Sequence, residues 1–228
     1  TIGEHDIGTH KSILTEMDRS AKAGNTGYAS VPGTDELRQT VAQRIKKKTG
    51  VPTTAANILI TPGGQAALFA AHLSVLDPGD VALYFDPYYA TYPGTLRSVG
   101  AVDRPINCYL ENNFQPLKSD IELAAKGAKC LLVNSPNNPT GVVYDIETWK
   151  GIAEVCIEQD LWLISDEVYD GQIWKGKHIT PRSLSDMAQR TLVIGSMSKS
   201  HAMTGSRVGW VCGPEMVITH LINLATHM

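Results

Sequence analysis

Three near-continuous apolar runs constrain the fold most: "KCLLVN" (Lys129–Asn134), "LWLIS" (Leu161–Ser165) and "RTLVIG" (Arg190–Gly195). A run without polar alternation suits a strand buried on both faces, as in a parallel sheet held between two helix layers. A helical pattern near Ile146–Gln159 joins the first two runs. Upstream, "NILIT" (Asn57–Thr61) and "VALYF" (Val81–Phe85) read as short strands. "GTDELRQTVAQRIKKKTG" reads as a helix capped by Thr34 or Asp35, stopped by Gly50, with Leu37, Val41 and Ile45 facing inward. "PGGQAALFAAHLSVL" turns at Pro62, Gly63 and Gly64 and continues as an Ala/Leu helix, and "DPYYATYPGTLRSVG" opens another. The alternation predicts an α/β fold, a mainly parallel sheet with helices on both faces.

In such sheets function gathers where strands end. "SPNNPTG" follows the first run, "DEVYDG" the second and "SMSKSHAMTGSR" the third. The net charge of −3 carries no basic footprint for nucleic acid, and no apolar run approaches membrane-spanning length. Cys108, Cys130, Cys156 and Cys212 form no C-x-x-C pair and read as packed, reduced thiols of a cytoplasmic protein. His5, His10, His72, His178, His201, His220 and His227 show no metal-ligand spacing and read as packing or surface, so no metal is expected. "KKK" (Lys46–Lys48) reads as a solvated helix end. The chain starts at Thr1 and stops inside the helical pattern "PEMVITHLINLATHM", which predicts that it is part of a longer protein.

The candidate site residues come from those strand-end segments. Lys199 sits among serines, glycines and apolar residues with no carboxylate close in sequence, and is expected to be buried for chemistry. A buried lysine amine can form a Schiff base with an aldehyde. Arg207, with Ser196 and Ser198, offers a forked guanidinium and hydroxyls to a phosphate, and Gly205 and Gly209 suggest close backbone approach around it. The "TPGGQAA" turn feeds a helix whose N–H groups make an anion site at Gly64 and Gln65. Asp166 ends an apolar strand and needs either a positive partner, such as a protonated ring nitrogen, or a helix to cap. Tyr169 lies three residues on with a hydroxyl to donate. Asn138 precedes Pro139 and is therefore extended, and its amide suits either a turn or a ligand. Tyr89 offers an aromatic face for packing or for stacking on a flat ring. A Schiff-base lysine with an acidic partner for a pyridinium nitrogen is the pattern of pyridoxal 5′-phosphate (PLP) sites.

The sequence resembles the fold-type I PLP-dependent aminotransferases of the class I/II, aspartate aminotransferase-like family. "SMSKSHAMTGSRVGW" is similar to that family's S-x-S-K…G-x-R-x-G-W signature, and "NNPTG" and "SDEVY" to two more of its hallmarks. The likeness runs from "GEHD" (Gly3–Asp6) to about Trp210. It implies that Lys199 carries the cofactor, Asp166 pairs with the ring nitrogen, and Tyr169 and Asn138 bond the ring's 3-oxygen, Asn138 also lying near the substrate carboxylate. Tyr89 would stack on the ring, while Gly64, Gln65, Ser196, Ser198 and Arg207 would hold the phosphate. Tyr28 resembles the tyrosine that reaches a neighbouring subunit's phosphate, which implies a homodimer with shared active sites. Gly3 resembles the family's glycine beside the substrate. The family usually has Pro where His5 stands and Phe where Ile7 stands.

By domain, residues 1–30 are expected to lead into a PLP-binding large domain over residues 31–228, with the family's C-terminal small domain and its substrate-clamping arginine absent. The implied activity is transfer of an amino group between an amino acid and a 2-oxo acid. Two other readings fit the same motifs: a carbon–sulfur β-lyase, and a PLP-sensing regulatory domain.

Overall fold

The computed structural model describes residues 3–227. Its centre is a seven-stranded sheet in the order β1-β7-β6-β5-β4-β2-β3. The strands are β1 (Ile58–Thr61), β2 (Val81–Asp86), β3 (Val102–Asn107), β4 (Ala128–Asn134), β5 (Trp162–Asp166), β6 (Thr191–Ser196) and β7 (Gly209–Cys212). β2, β3, β4, β5 and β6 are mutually parallel. β7 runs against both β6 and β1, so β1 points the same way as the others. The expected mainly parallel sheet is therefore present, and one reversed strand sits inside it.

Successive side chains leave a strand on opposite faces, and that alternation divides the core. Cys130 and Leu132 of β4 pack with helices α3 (Gly64–Val75), α4 (Tyr92–Ser98) and α8 (Glu215–Ala225). Leu131 and Val133 pack on the other face with α5 (Lys118–Ala125) and α6 (Ile146–Glu158). Further along that second face, α2 (Asp35–Thr49) covers Ile58, Val193 and Trp210 through Val41, Ala42 and Ile45. Thr34 caps α2 by accepting the Leu37 N–H, and Gly50 ends it in the left-handed region at φ 72°. Lys48, read as a solvated end, instead pairs with Asp170, which Arg44 also holds at 3.1 Å.

Helix α1 (Lys11–Lys22) buries no residue and turns Leu14 and Met17 outward. The four cysteines are buried and unpaired. Among the described residues no helix is long and apolar enough to cross a membrane.

Candidate active site

Because β1 to β6 share one direction, the loops after β1, β2, β4, β5 and β6 all meet at one edge of the sheet. They surround a cleft of ≈ 570 Å³. Gly3, Gly64, Gln65, Tyr89, Asp166, Tyr169, Ser196, Ser198, Lys199 and Arg207 all line it. Asn138 joins them through a hydrogen bond from its side-chain N–H to the Tyr169 hydroxyl, 3.2 Å. Asn134, the last residue of β4, fixes that loop by accepting the Asn138 N–H at 2.7 Å and donating to the Asp166 carbonyl at 3.0 Å.

Asp166 ends β5 on the cleft side of the sheet and is buried. No helix follows it, so it is not a helix cap; its Oδ1 accepts the Val168 N–H at 3.3 Å. Its Oδ2 accepts the hydroxyl of buried Tyr92 at 2.7 Å. Burial outweighs these two hydrogen bonds and lifts the carboxyl from its ordinary 3.8 to about 6. A carboxylate held this way has a standing electrostatic cost, which a cationic partner in the cleft would remove. Tyr92 itself is pushed well above the ordinary phenol value by burial and by Asp166, so it stays a donor. Tyr89, which lines the cleft, packs edge-to-face with the Tyr92 ring at 5.8 Å.

The other end of the cleft is built for an anion. Gly63 precedes α3 at φ 91° and ψ 170°, and no side chain caps the helix. The first N–H groups of α3 therefore point into the cleft with the positive end of the helix dipole. A Cβ on Gly63 would overlap the Arg207 guanidinium. A Cβ on Gly209 would lie 2.5 Å from the Gly63 carbonyl carbon. The expected close approach thus holds at Gly209 but not at Gly205, where a Cβ would meet open space. Arg207 donates to the Thr204 carbonyl (2.8 Å), the Ser198 hydroxyl (3.4 Å) and the Pro62 carbonyl (3.4 Å). None of these partners is a carboxylate, so its charge is left for a ligand. Ser196 caps α7 (Met197–Ser200) by accepting the Ser198 N–H at 3.0 Å. The Gln65 side chain turns away to Thr95 and Thr91, at 2.7 and 3.0 Å, so only its backbone serves the anion site.

Lys199 corrects one expectation. It is half-buried rather than buried, because α7 is a single turn at the rim of the cleft. Its Nζ donates to the Gly3 carbonyl at 2.8 Å. Tyr28 is not brought to the cleft; its ring is fully exposed. His5 is neither core packing nor free surface, since its Nε2 lies 2.7 Å from the Lys199 carbonyl. Sequence reasoning missed Tyr92 and Asn134. Tyr92 lies in the same segment as Tyr89, but nothing local distinguishes the tyrosine that turns inward.

An anion cradle, a buried acid, an Asn–Tyr hydrogen-bonding pair and a lysine amine along one cleft fit PLP, which carries a phosphate, a ring nitrogen, a 3-oxygen and an aldehyde.

The chain matches the family described as aminotransferase class I and II over residues 1–228. It is 40% identical over 229 residues to an arginine–pyruvate transaminase of Pseudomonas aeruginosa, covering all of this chain and 58% of that protein. It is 34% identical over 227 residues to the aspartate/prephenate aminotransferase of Thermus thermophilus, covering 99% of this chain and 58% of that protein. Among solved structures, a Thermus thermophilus aspartate aminotransferase double mutant superposes with a TM-score of 0.95 at 34% identity, over 100% of this chain and 59% of the other. An aromatic aminotransferase from Pyrococcus horikoshii gives 0.96 at 29% identity, over 99% of this chain and 61% of the other. The chain thus spans about three-fifths of the length of these relatives. On the matched family, the shared fold and the cleft that carries its motifs, the chain belongs to the class I and II aminotransferases.

Proposed function

We propose that this chain is the cofactor-binding part of a PLP-dependent amino acid:2-oxo acid aminotransferase. The observation that carries the reading is the convergence of Lys199, Asp166 and the Asn138–Tyr169 pair on one cleft with an anion cradle at its end. The names of the relatives support it, since the two quoted are an arginine–pyruvate transaminase and an aspartate/prephenate aminotransferase. Residues 31–228 form the PLP-binding domain and residues 1–30 lead into it.

Bound PLP supplies an aldehyde for the lysine and a ring that draws electrons from the substrate's α-carbon. The protein's part is placement and proton handling. The α3 N–H groups, Ser196, Ser198 and Arg207 bind the phosphate. Asp166 keeps a proton on the ring nitrogen, and Tyr92 keeps Asp166 oriented. Asn138 and Tyr169 bind the 3-oxygen, and Tyr89 covers the ring. Lys199 would hold the cofactor through its amine, and that amine, when free, would be the base that takes the proton from the substrate α-carbon. Gly3 and Asn138 flank the substrate.

The exposed Tyr28 and the unburied apolar side of α1 support a homodimer in which Tyr28 reaches the neighbouring site. The unpaired cysteines support a cytoplasmic location.

The test is the absorbance spectrum of the full-length protein with PLP, followed by single amino acids and then a 2-oxo acid. Conversion of the bound cofactor to its pyridoxamine form by an amino acid, and its restoration by an oxo acid, is expected. Pyruvate and ammonia released from a cysteine conjugate without an oxo acid would replace the reading with β-elimination. PLP bound but unchanged by every amino acid would overturn it.

A further inference from the structure

The segment from Gly3 to Thr9 is tied to the loop around Lys199 by four hydrogen bonds. Lys199 Nζ donates to the Gly3 carbonyl at 2.8 Å, and Thr204 donates to Glu4 at 3.1 Å. Thr9 donates to the Ala202 carbonyl at 2.6 Å, and His5 Nε2 lies 2.7 Å from the Lys199 carbonyl. None of residues 3–9 is buried. Few apolar contacts and rim-exposed hydrogen bonds put such a segment at the low-stability end of a fold.

The His5 contact differs from the others in what it satisfies. Lys199 lies in the last turn of α7, where carbonyls have no partner further along the helix. Among the described residues no backbone N–H donates to the Lys199 carbonyl; besides His5 only the Gln172 amide approaches, at 3.5 Å. A carbonyl can only accept, so His5 must carry its proton on Nε2. A proline at position 5 would have no side-chain donor to offer. His5 and Gly3 are two residues apart, so the same short stretch holds the lysine by its carbonyl and by its amine. The amine contact must break whenever Lys199 is engaged elsewhere, whereas the carbonyl contact need not.

We propose that His5 is a positioning residue that pins residues 3–9 to the backbone of Lys199, so that Gly3 and the lysine amine keep their register while the amine changes partners. The catalytic side of this inference rests on the aminotransferase reading; the contact itself does not.

The test compares the full-length wild type with His5→Ala and His5→Gln, the second keeping an N–H donor of similar reach. Two readouts are used: amide hydrogen exchange of residues 3–9 by mass spectrometry in the cofactor-free protein, and kcat and KM in the PLP-loaded protein. In His5→Ala the segment is expected to exchange roughly five-fold faster, the effect of one lost hydrogen bond, and His5→Gln is expected to restore protection. kcat should fall in His5→Ala by more than KM changes, because a misplaced amine is felt in the chemical step. Unchanged exchange in His5→Ala, or a His5→Gln variant as impaired as His5→Ala, overturns the proposal. If the wild type transfers no amino group, the aminotransferase reading fails, and the exchange comparison alone still decides whether His5 pins the segment.

Discussion

The hydroxyl of Tyr92 donates to Asp166 Oδ2 at 2.7 Å, and both side chains, though buried, line the cleft. Tyr92 opens α4 and Asp166 closes β5, so two elements 74 residues apart share one proton donor.

Removing that donor in Tyr92→Phe should raise the Asp166 carboxyl further above about 6, because the hydrogen bond favours the charged form. A hydrogen bond to a charged group is worth about 1.5–3 kcal/mol. The pH below which PLP binding weakens should therefore move upward. Fluorescence titration of PLP binding between pH 5 and 8 measures the shift; an unchanged profile would show that Tyr92 does not set the charge of Asp166.

Asp166→Asn should separate stability from cofactor binding. The folded carboxyl binds its proton more tightly than the unfolded one, about 6 against 3.8. Its contribution to stability is thus greatest below the ordinary value and is lost as pH rises through about 6. At pH 7.5 the cofactor-free Asn variant should be more stable than the wild type by on the order of 3 kcal/mol, and near pH 4 most of that difference should disappear. Its PLP affinity should fall at neutral pH. Thermal melts at the two pH values and a PLP titration check both halves.

Lys199→Ala should reduce transamination by more than about a hundred-fold, since the base and the covalent attachment go together. PLP should still bind through Asp166, the α3 N-terminus and Arg207. Near-normal turnover in this variant would contradict the role given to Lys199, and stopped-flow mixing with an amino acid reads it directly.

Gly63→Ala should damage the anion cradle. At φ 91° and ψ 170° the backbone lies in a region open essentially to glycine alone, where strain costs about 1–3 kcal/mol. The added Cβ would also displace the Arg207 guanidinium. A lower melting temperature is expected, together with weaker binding of inorganic phosphate to the cofactor-free protein. Calorimetric titration with phosphate tests the second effect apart from the first.

Much of the fold was legible because burial on both faces leaves a mark in a single strand. "LLV" of β4, "WLIS" of β5 and "TLVIG" of β6 needed no partner to be read as central strands. β3 carried no such mark: its "VDRPIN" pairs only with β2 at the edge of the sheet, where Arg104 and Pro105 are tolerated. β7 is buried throughout, but its reversal between β1 and β6 depends on register against both neighbours. Lys199 was expected to be buried because serines, glycines and apolar residues surround it in sequence with no carboxylate close by, yet α7 follows the buried β6 as a single turn and carries the lysine back to the rim.

The sequence alone determined the α/β class, the strand ends at which chemistry gathers, and the residue types set there: Lys199, Asp166, Asn138, Tyr169 and Arg207. These are local properties, written in runs of a few residues whose burial and turn chemistry are self-contained. Only the tertiary structure decided that Tyr92 donates to Asp166, that Arg207 lies against Gly63, and that His5 meets the Lys199 carbonyl 194 residues away. Those contacts depend on a common strand direction that brings five loops to one edge, which no single segment encodes.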